Sequence, residues 1–343
     1  MALKLIEDFF EVGANPENII GTGWLMTGGR VAGSGCIGPN GTGQWLAYPN
    51  QGWSSGISDF YAGFALRISA AQTGNPKIFA VYGDNNSTEH CFLTIDNNNR
   101  LAVHRSTGAS SSLLATSPLP FPVISQWRSI NVYFKIDDTT GRAVVKVDGT
   151  THIDFTGDTK NAGTGSNIDG VRISVPNNPN NALADLVILD NTGSINNTYP
   201  NDIACIRRLP NANGTYSQFT GSDGNSTDNY QLVDEAPSDN SDYTYATSVG
   251  QKDSYNVEDL PAATISVMGV RAVAKCAKSG AGSAGMSVFV RENGSDTFGP
   301  SIPLSTSFSW QGDIVREVAP STSAAWTVSD VNAMEIGVRS EAS

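Results

Sequence analysis

The side chains whose types bear first on chemistry are three aspartates, Asp148, Asp154 and Asp158, and the histidines His90, His104 and His152. Retaining glycoside hydrolysis needs two carboxylates flanking one sugar bond, which on a strand would sit at alternating positions, as in E-x-D-x-E. No such run occurs. The three aspartates read as acids of turns and strand edges. A zinc site would need all three histidines or help from carboxylates. His90 and His104 can face each other across an Asn97–Asn99 hairpin, but alternation alone would place such a pair outward, toward solvent. Cys36, Cys91, Cys205 and Cys276 are scattered, without a C-x-x-C pair, and read as reduced, mostly buried thiols. No G-x-S-x-G, phosphate loop or H-E-x-x-H is present. The expectation is a protein without catalytic residues, hence not an enzyme.

Sugar recognition makes a different demand. A pyranose C–H face stacks on an aromatic ring while its hydroxyls need directional partners. Trp45, Tyr48, Trp53 and Tyr61 lie close together in sequence beside Asn50 and Gln51, and they are the candidate glycan-binding residues. Tyr230, Tyr243 and Tyr245 form a second aromatic group within an acidic stretch. Core packing or subunit contact is the competing account of both groups. Trp127, Trp310 and Trp326 read as core.

The elements that must position these residues are strands. In Gln126–Phe155, Ile130, Val132, Phe134 and Ile136 share one parity, Asp137 to Gly141 turns the chain, and Ala143, Val145 and Val147 resume the alternation. Asp148-Gly149 makes a further turn toward Ile153 and Phe155. Phe60, Ala62, Phe64, Leu66 and Ile68 alternate in the same way. Leu186-Val187-Ile188-Leu189 is apolar on both faces. In the second half, strands are expected around Val270–Cys276, Met286–Val290, Phe308–Trp310 and Met334–Val338. Ser329 to Asn332 reads as a turn and 210–242 as long surface loop.

With 343 residues the chain is long for one core and suits two domains. We expect 1–198 as a jelly-roll domain, 199–210 as a linker or connecting strand, and 211–343 as a smaller β-sandwich. The 35 glycines and 16 prolines fit short strands joined by polar turns, with little helix. A net charge of −12 argues against a nucleic-acid groove and against anionic membranes. The acidic start and the lack of any long apolar run predict neither a secretory signal nor membrane insertion. Asn-x-Ser/Thr sequons are frequent, as expected by accident in a chain so rich in Asn, Ser and Thr.

The order of Trp127, alternating strand, turn, second strand ending in Val147-Asp148-Gly149, and return strand resembles the concanavalin A-like or laminin-G-like jelly roll. Read end to end, the chain resembles a group of tailed-phage and prophage virion proteins with an amino-terminal laminin-G-like domain and a distinctive carboxy-terminal β domain. The residues carrying this are 185–193, Tyr216-Ser217-Gln218-Phe219, Val233 to Pro237, Gly250 to Asp253, Ala325-Trp326-Thr327 and Val331-Asn332-Ala333. The opening 21–56, with Trp24, Trp45 and Trp53, is richer in aromatics than the group's pattern. The resemblance implies an all-β fold of two antiparallel sandwiches. It also implies a non-enzymatic virion structural protein, made in the host bacterial cytoplasm. A tail-tip or fibre component touching host-surface glycan is the first reading, and capsid decoration or a head spike for particle stability or display is the alternative. Partners would be other virion proteins and further copies of the chain, a trimer being common among fibres and spikes. No cofactor is expected. Calcium is the one ion the resemblance raises, with Asp185 and Asp190 as candidate ligands among Asx residues that also serve as turn formers.

Overall fold

The computed structural model describes residues 2–9, 25–26, 29–31, 34–39, 46–49, 57–108 and 110–342. The chain is all-β and divides into two compact units between Ile206 and Arg207.

In the first unit the described strands are β1 Leu3–Glu7, β2 Leu25–Met26, β3 Cys36–Ile37, β4 Leu46–Pro49, β5 Asp59–Arg67, β6 Lys77–Gly83 and β7 Thr88–Ile95. They continue with β8 Arg100–Ser106, β9 Ser111–Pro120, β10 Trp127–Lys135, β11 Gly141–Val147, β12 Thr150–Gly157, β13 Gly170–Ile173 and β14 Ala182–Asp190. Two antiparallel sheets result. One runs β12-β11-β10-β5-β14-β3-β2 with β1 also on β14, and the other runs β4-β13-β6-β7-β8-β9. This is the jelly-roll sandwich that the alternation predicts.

Register explains why the core lies where it does. Phe134 stands opposite Phe60, Val132 opposite Ala62 and Ile130 opposite Phe64, so all six side chains enter the same interior. From the other sheet, Phe79 stacks on Phe60 at 5.9 Å, on Phe64 at 5.6 Å and on Phe134 at 6.4 Å between centroids. The turns follow the expected chemistry. Asp137 Oδ1 accepts the N–H groups of Thr139 and Thr140 at 2.8 and 2.7 Å, and Asp148-Gly149 takes positive φ at both residues.

Strand β14 is buried along its whole length. Its register against β5 shifts between Ala184 and Val187, and within this bulge Asp185 adopts a left-handed φ of 59°. Of the stretch 199–210, expected as a linker or connecting strand, 199–206 is irregular chain of the first unit laid over the sheet. Asn201 N–H donates to Asn131 Oδ1 at 2.9 Å, and Asn131 returns Nδ2–H to the Asn201 carbonyl at 3.1 Å. Pro200 sits so close to Gly63 that an added Cβ would meet Pro200 Cγ at 2.5 Å. Composition alone hides this, because a polar segment that caps a sheet through its backbone looks like a linker.

The second unit contains β15 Pro210–Ser217, β16 Thr220–Gly221, a 3₁₀ turn Asn229–Leu232, β17 Thr244–Tyr245, β18 Lys252–Val257, β19 Val273–Cys276, β20 Gly285–Glu292, β21 Ser295–Phe298, β22 Ile302–Pro303, β23 Ser309–Gly312, helix α1 Val328–Ala333 and β24 Glu335–Glu341. A six-stranded sheet runs β15-β18-β24-β20-β21 with β22 on β20, and β19 pairs β23 in a separate ribbon. Val257, Met286, Val288 and Val290 of the sheet pack with Ala272, Trp326, Val331 and Met334. Asp253 is fully buried and accepts N–H groups from Gln218 and Phe219, both at 2.7 Å, Nδ2–H of Asn229 at 2.5 Å and the Tyr255 hydroxyl at 3.1 Å.

Two expectations are corrected here. The stretch 210–242 contains β15 and the 3₁₀ turn, because β15 is a half-exposed edge strand whose polar residues blur the alternation. Ser329–Asn332 lies within α1, which Thr327 caps by accepting Asp330 N–H at 3.1 Å while Asp330 Oδ2 accepts Thr327 N–H at 2.9 Å.

Replacing Gly63 with Ala is expected to push Pro200 off the sheet and destabilise the first unit by about 1–3 kcal/mol. Chemical denaturation of the variant and the parent measures this, and an unchanged midpoint would count against the contact.

Candidate functional site

The alternation that sends Phe60 and Phe134 inward sends their neighbours Tyr61 and Tyr133 outward. Tyr133 stands directly opposite Tyr61 across the β10/β5 pair, with ring centroids 4.8 Å apart. Tyr199, from the segment that crosses this face, meets Tyr61 edge-on at 5.1 Å. Lys146 of β11 reaches over Tyr199, with Nζ 3.8 Å from the ring centre. Tyr61, Tyr133 and Tyr199 are each half-buried.

Polar groups ring the cluster. The Tyr133 hydroxyl donates to Asp59 Oδ1 at 2.5 Å. Arg142 makes a two-pronged pair with Asp154, Nε–Oδ1 2.9 Å and Nη2–Oδ2 2.8 Å, about half-exposed on both sides. Burial, and then the Asp59 hydrogen bond, raise the Tyr133 phenol; burial raises Tyr61; burial pushes Tyr199 up to about 12. Arg142 draws all three back down, and all three remain protonated donors at neutral pH. The charges of Asp59 and Asp154 balance those of Arg142 and Lys146. What the arrangement offers chemically is a neutral aromatic surface edged by donors and acceptors on a rigid sheet.

Of the four glycan candidates read from sequence, Tyr61 belongs to this cluster. Tyr48 does not: it is fully buried, with its hydroxyl 3.4 Å from Glu7 Oε2, because its strand parity turns it into the core. Trp45 and Trp53 lie outside the described residues. Tyr133 was legible as an aromatic in an outward slot of a clean amphipathic strand. Nothing local marks Tyr199, which arrives from an irregular segment.

Asp185 and Asp190, the candidate calcium ligands, are engaged by the protein's own groups. Asp185 Oδ2 pairs with Arg30 Nε at 2.9 Å, its Oδ1 accepts Cys205 N–H at 2.8 Å, and Arg30 also reaches Asp202 and the Ile203 carbonyl. Burial raises the Asp185 carboxyl against the pull of Cys205 and Arg30. Asp190 pairs with Lys4 at 2.8 Å and accepts Thr192 N–H at 2.9 Å. Among the described residues no three His, Cys, Asp or Glu side chains gather as a metal would require.

The remaining acids and histidines are also placed. Asp148 pairs with Arg128 at 2.8 Å, Asp154 with Arg142 as above, and Asp158 with Arg105. The expected outward pair of histidines is corrected: His90 is fully buried, its Nδ1 accepting Asn161 N–H at 3.3 Å and its Nε2 lying 3.2 Å from the Asn167 carbonyl. The loop 158–169 folds over it, a long-range contact that strand alternation cannot reveal. His104 stacks on Phe92 at 4.9 Å, and His152 Nδ1 lies 3.0 Å from Ser117 Oγ. In the second unit Tyr243 and Tyr245 are exposed, with ring centroids 6.4 Å apart, whereas Tyr230 sits in the 3₁₀ turn.

No family model and no curated protein matches the chain. Solved structures resemble part of it at low identity. Domain 4 of AbnA, an extracellular arabinanase from Geobacillus stearothermophilus in complex with arabinotriose, is 12% identical over 55% of this chain and 93% of its own, with a TM-score of 0.37. The carbohydrate binding module CBM66 from Bacillus subtilis is 11% identical over 49% and 90%, with a TM-score of 0.31. The alginate lyase Aly36B is 14% identical over 43% and 73%, with a TM-score of 0.32.

Burial lowers the pKa of all three histidines in the folded chain. Below about pH 6.5 the unfolded chain therefore binds protons that the folded chain refuses, so this contribution to stability is present above that value and is lost as pH falls through the folded pKa values. Thermal midpoints are expected to fall between pH 7 and pH 5 by this linkage, and His90→Gln to flatten the dependence. Equal slopes for the variant and the parent would exclude His90 as a source.

Proposed function

We propose that this protein is a non-enzymatic structural component of a tailed-phage virion whose first unit contacts neutral glycan on the host surface. The observation that carries the glycan reading is the Tyr61–Tyr133–Tyr199 cluster, two half-buried rings on a sheet and a third from the segment crossing it, with Asp59, Arg142, Asp154 and Lys146 around them. Rings stack on sugar C–H faces, and the protonated phenols and the Arg142–Asp154 pair supply directional bonds to hydroxyls. Because the four charges of the patch cancel, uncharged sugars fit it better than uronic or sialic acids.

The virion assignment is supported by the second-half motifs, and the lack of catalysis by the acids. Retaining hydrolysis needs two carboxylates about 5–5.5 Å apart and available to one bond. Asp148, Asp154 and Asp158 are each held by a different arginine.

A glycan array followed by calorimetric titration tests the reading. Neutral oligosaccharides are expected to bind, and Tyr133→Ala or Tyr199→Ala to weaken binding about three- to tenfold each, the worth of one stacked ring. Binding unaffected by both changes would remove the cluster as the site, and turnover of a bound glycan would overturn the non-enzymatic part. Gold-labelled antibody on intact particles separates the placements: label at the distal tail agrees with adsorption, whereas label over the head overturns it in favour of decoration.

A further inference from the structure

The aromatic cluster of the first unit carries an occupant of its own. Lys146 lies in β11, opposite Asn131 of β10 and Thr151 of β12. Its side chain runs to Tyr199, where the ammonium sits 3.8 Å from the ring centre. Stacked carbon atoms touch at about 3.5–4.0 Å. The ammonium therefore fills the place that a sugar C–H face would take on that side of the ring, and the two cannot share it.

The other charged groups of the cluster are held in place. Both oxygens of Asp154 fix Arg142, and Asp59 accepts the hydroxyls of Tyr133 and Ser58. Lys146 differs from them. Among the described residues it makes neither a hydrogen bond nor an ion pair, and the contact that holds its ammonium is the Tyr199 ring. A cation over a ring at a partly exposed position is a weak contact. A flexible four-carbon stem joins that cation to β11, so the head can swing into water without moving the strand. Tyr199 has no such freedom, because Pro200 beside it packs over Gly63 and Asn201 exchanges two hydrogen bonds with Asn131. When something competes for the ring, the lysine yields and the ring stays.

We propose that Lys146 is a built-in competitor for the Tyr199 face: it covers the ring in the free protein, is displaced when a sugar stacks there, and so restricts the site to sugars that outcompete it. This rests on the glycan reading of the cluster. A lysine that instead bonded the sugar would give the opposite sign on removal. Calorimetric titration of the parent, Lys146→Ala and Lys146→Arg with a neutral oligosaccharide chosen on the array tests the proposal. A neutral sugar is the suitable probe, since it does not sense the net charge that Lys146→Ala removes. Lys146→Ala is expected to tighten binding about two- to fivefold, the worth of an exposed cation–ring contact. Lys146→Arg is expected to weaken it, because a planar guanidinium stacks on the ring more fully than an ammonium. A purely structural role would move both variants the same way. Proton NMR gives a second readout: the Lys146 ε-methylene protons are expected to be shifted upfield by the ring in the free protein and to move back as sugar is added. If the parent binds and Tyr199→Ala weakens that binding, but Lys146→Ala binds no tighter, the competitor is overturned and the glycan reading stands. If neither the parent nor Lys146→Ala binds any sugar, both are overturned.

Discussion

The first unit depends on one packing event, the insertion of Phe79 from one sheet against Phe60, Phe64 and Phe134 of the other. Close-packed interiors tolerate little displacement, and a ring held on three sides fixes the separation and register of both sheets. The outward face inherits that order. Tyr61 and Tyr133 are the sequence neighbours of Phe60 and Phe134, so the spacing of the exposed rings is set by the spacing of the buried ones. The two rings on β5 and β10 are therefore placed by the sheet itself and not by a loop.

Much of this was legible in the chain. The 126–155 hairpin gave its turns and its inward residues because the two-residue period and the Asx–Gly chemistry agree there. Tyr61 was grouped from sequence with Tyr48, whose parity turns it into the core, whereas Tyr61 faces outward beside Tyr133. What stayed hidden came from contacts distant in sequence. Tyr199 joins the cluster from a segment that reads as a polar linker, and His90 is buried by a loop about seventy residues further on. Asp185 looked like a metal ligand, since a fully buried carboxylate in a left-handed bulge is recognised only when Arg30 is seen beside it.

The second unit was harder to read for a related reason. Its sheet has a polar edge strand, β15, whose ladder bonds are reinforced by side chains such as Asp253 and Ser254 rather than by an apolar face. Such a strand carries the composition of a loop. The short helix α1 was read as a turn because its residues are polar; its capping box, Thr327 with Asp330, was the local signal that could have marked it, since only Val331 within it reaches the core. Local hydrogen-bonding signals outperform periodicity where elements are short.

The attachment of Tyr199 also orders events in time. The segment that carries it is held by Pro200 over Gly63 and by Asn201 on Asn131, contacts spanning about 140 and 70 residues. During synthesis this segment leaves the ribosome after every strand it covers. The third ring therefore joins strands that have already been synthesised. A chain in which β5 and β10 had not paired would lack a complete cluster, so the full surface reports that this part of the sheet has closed.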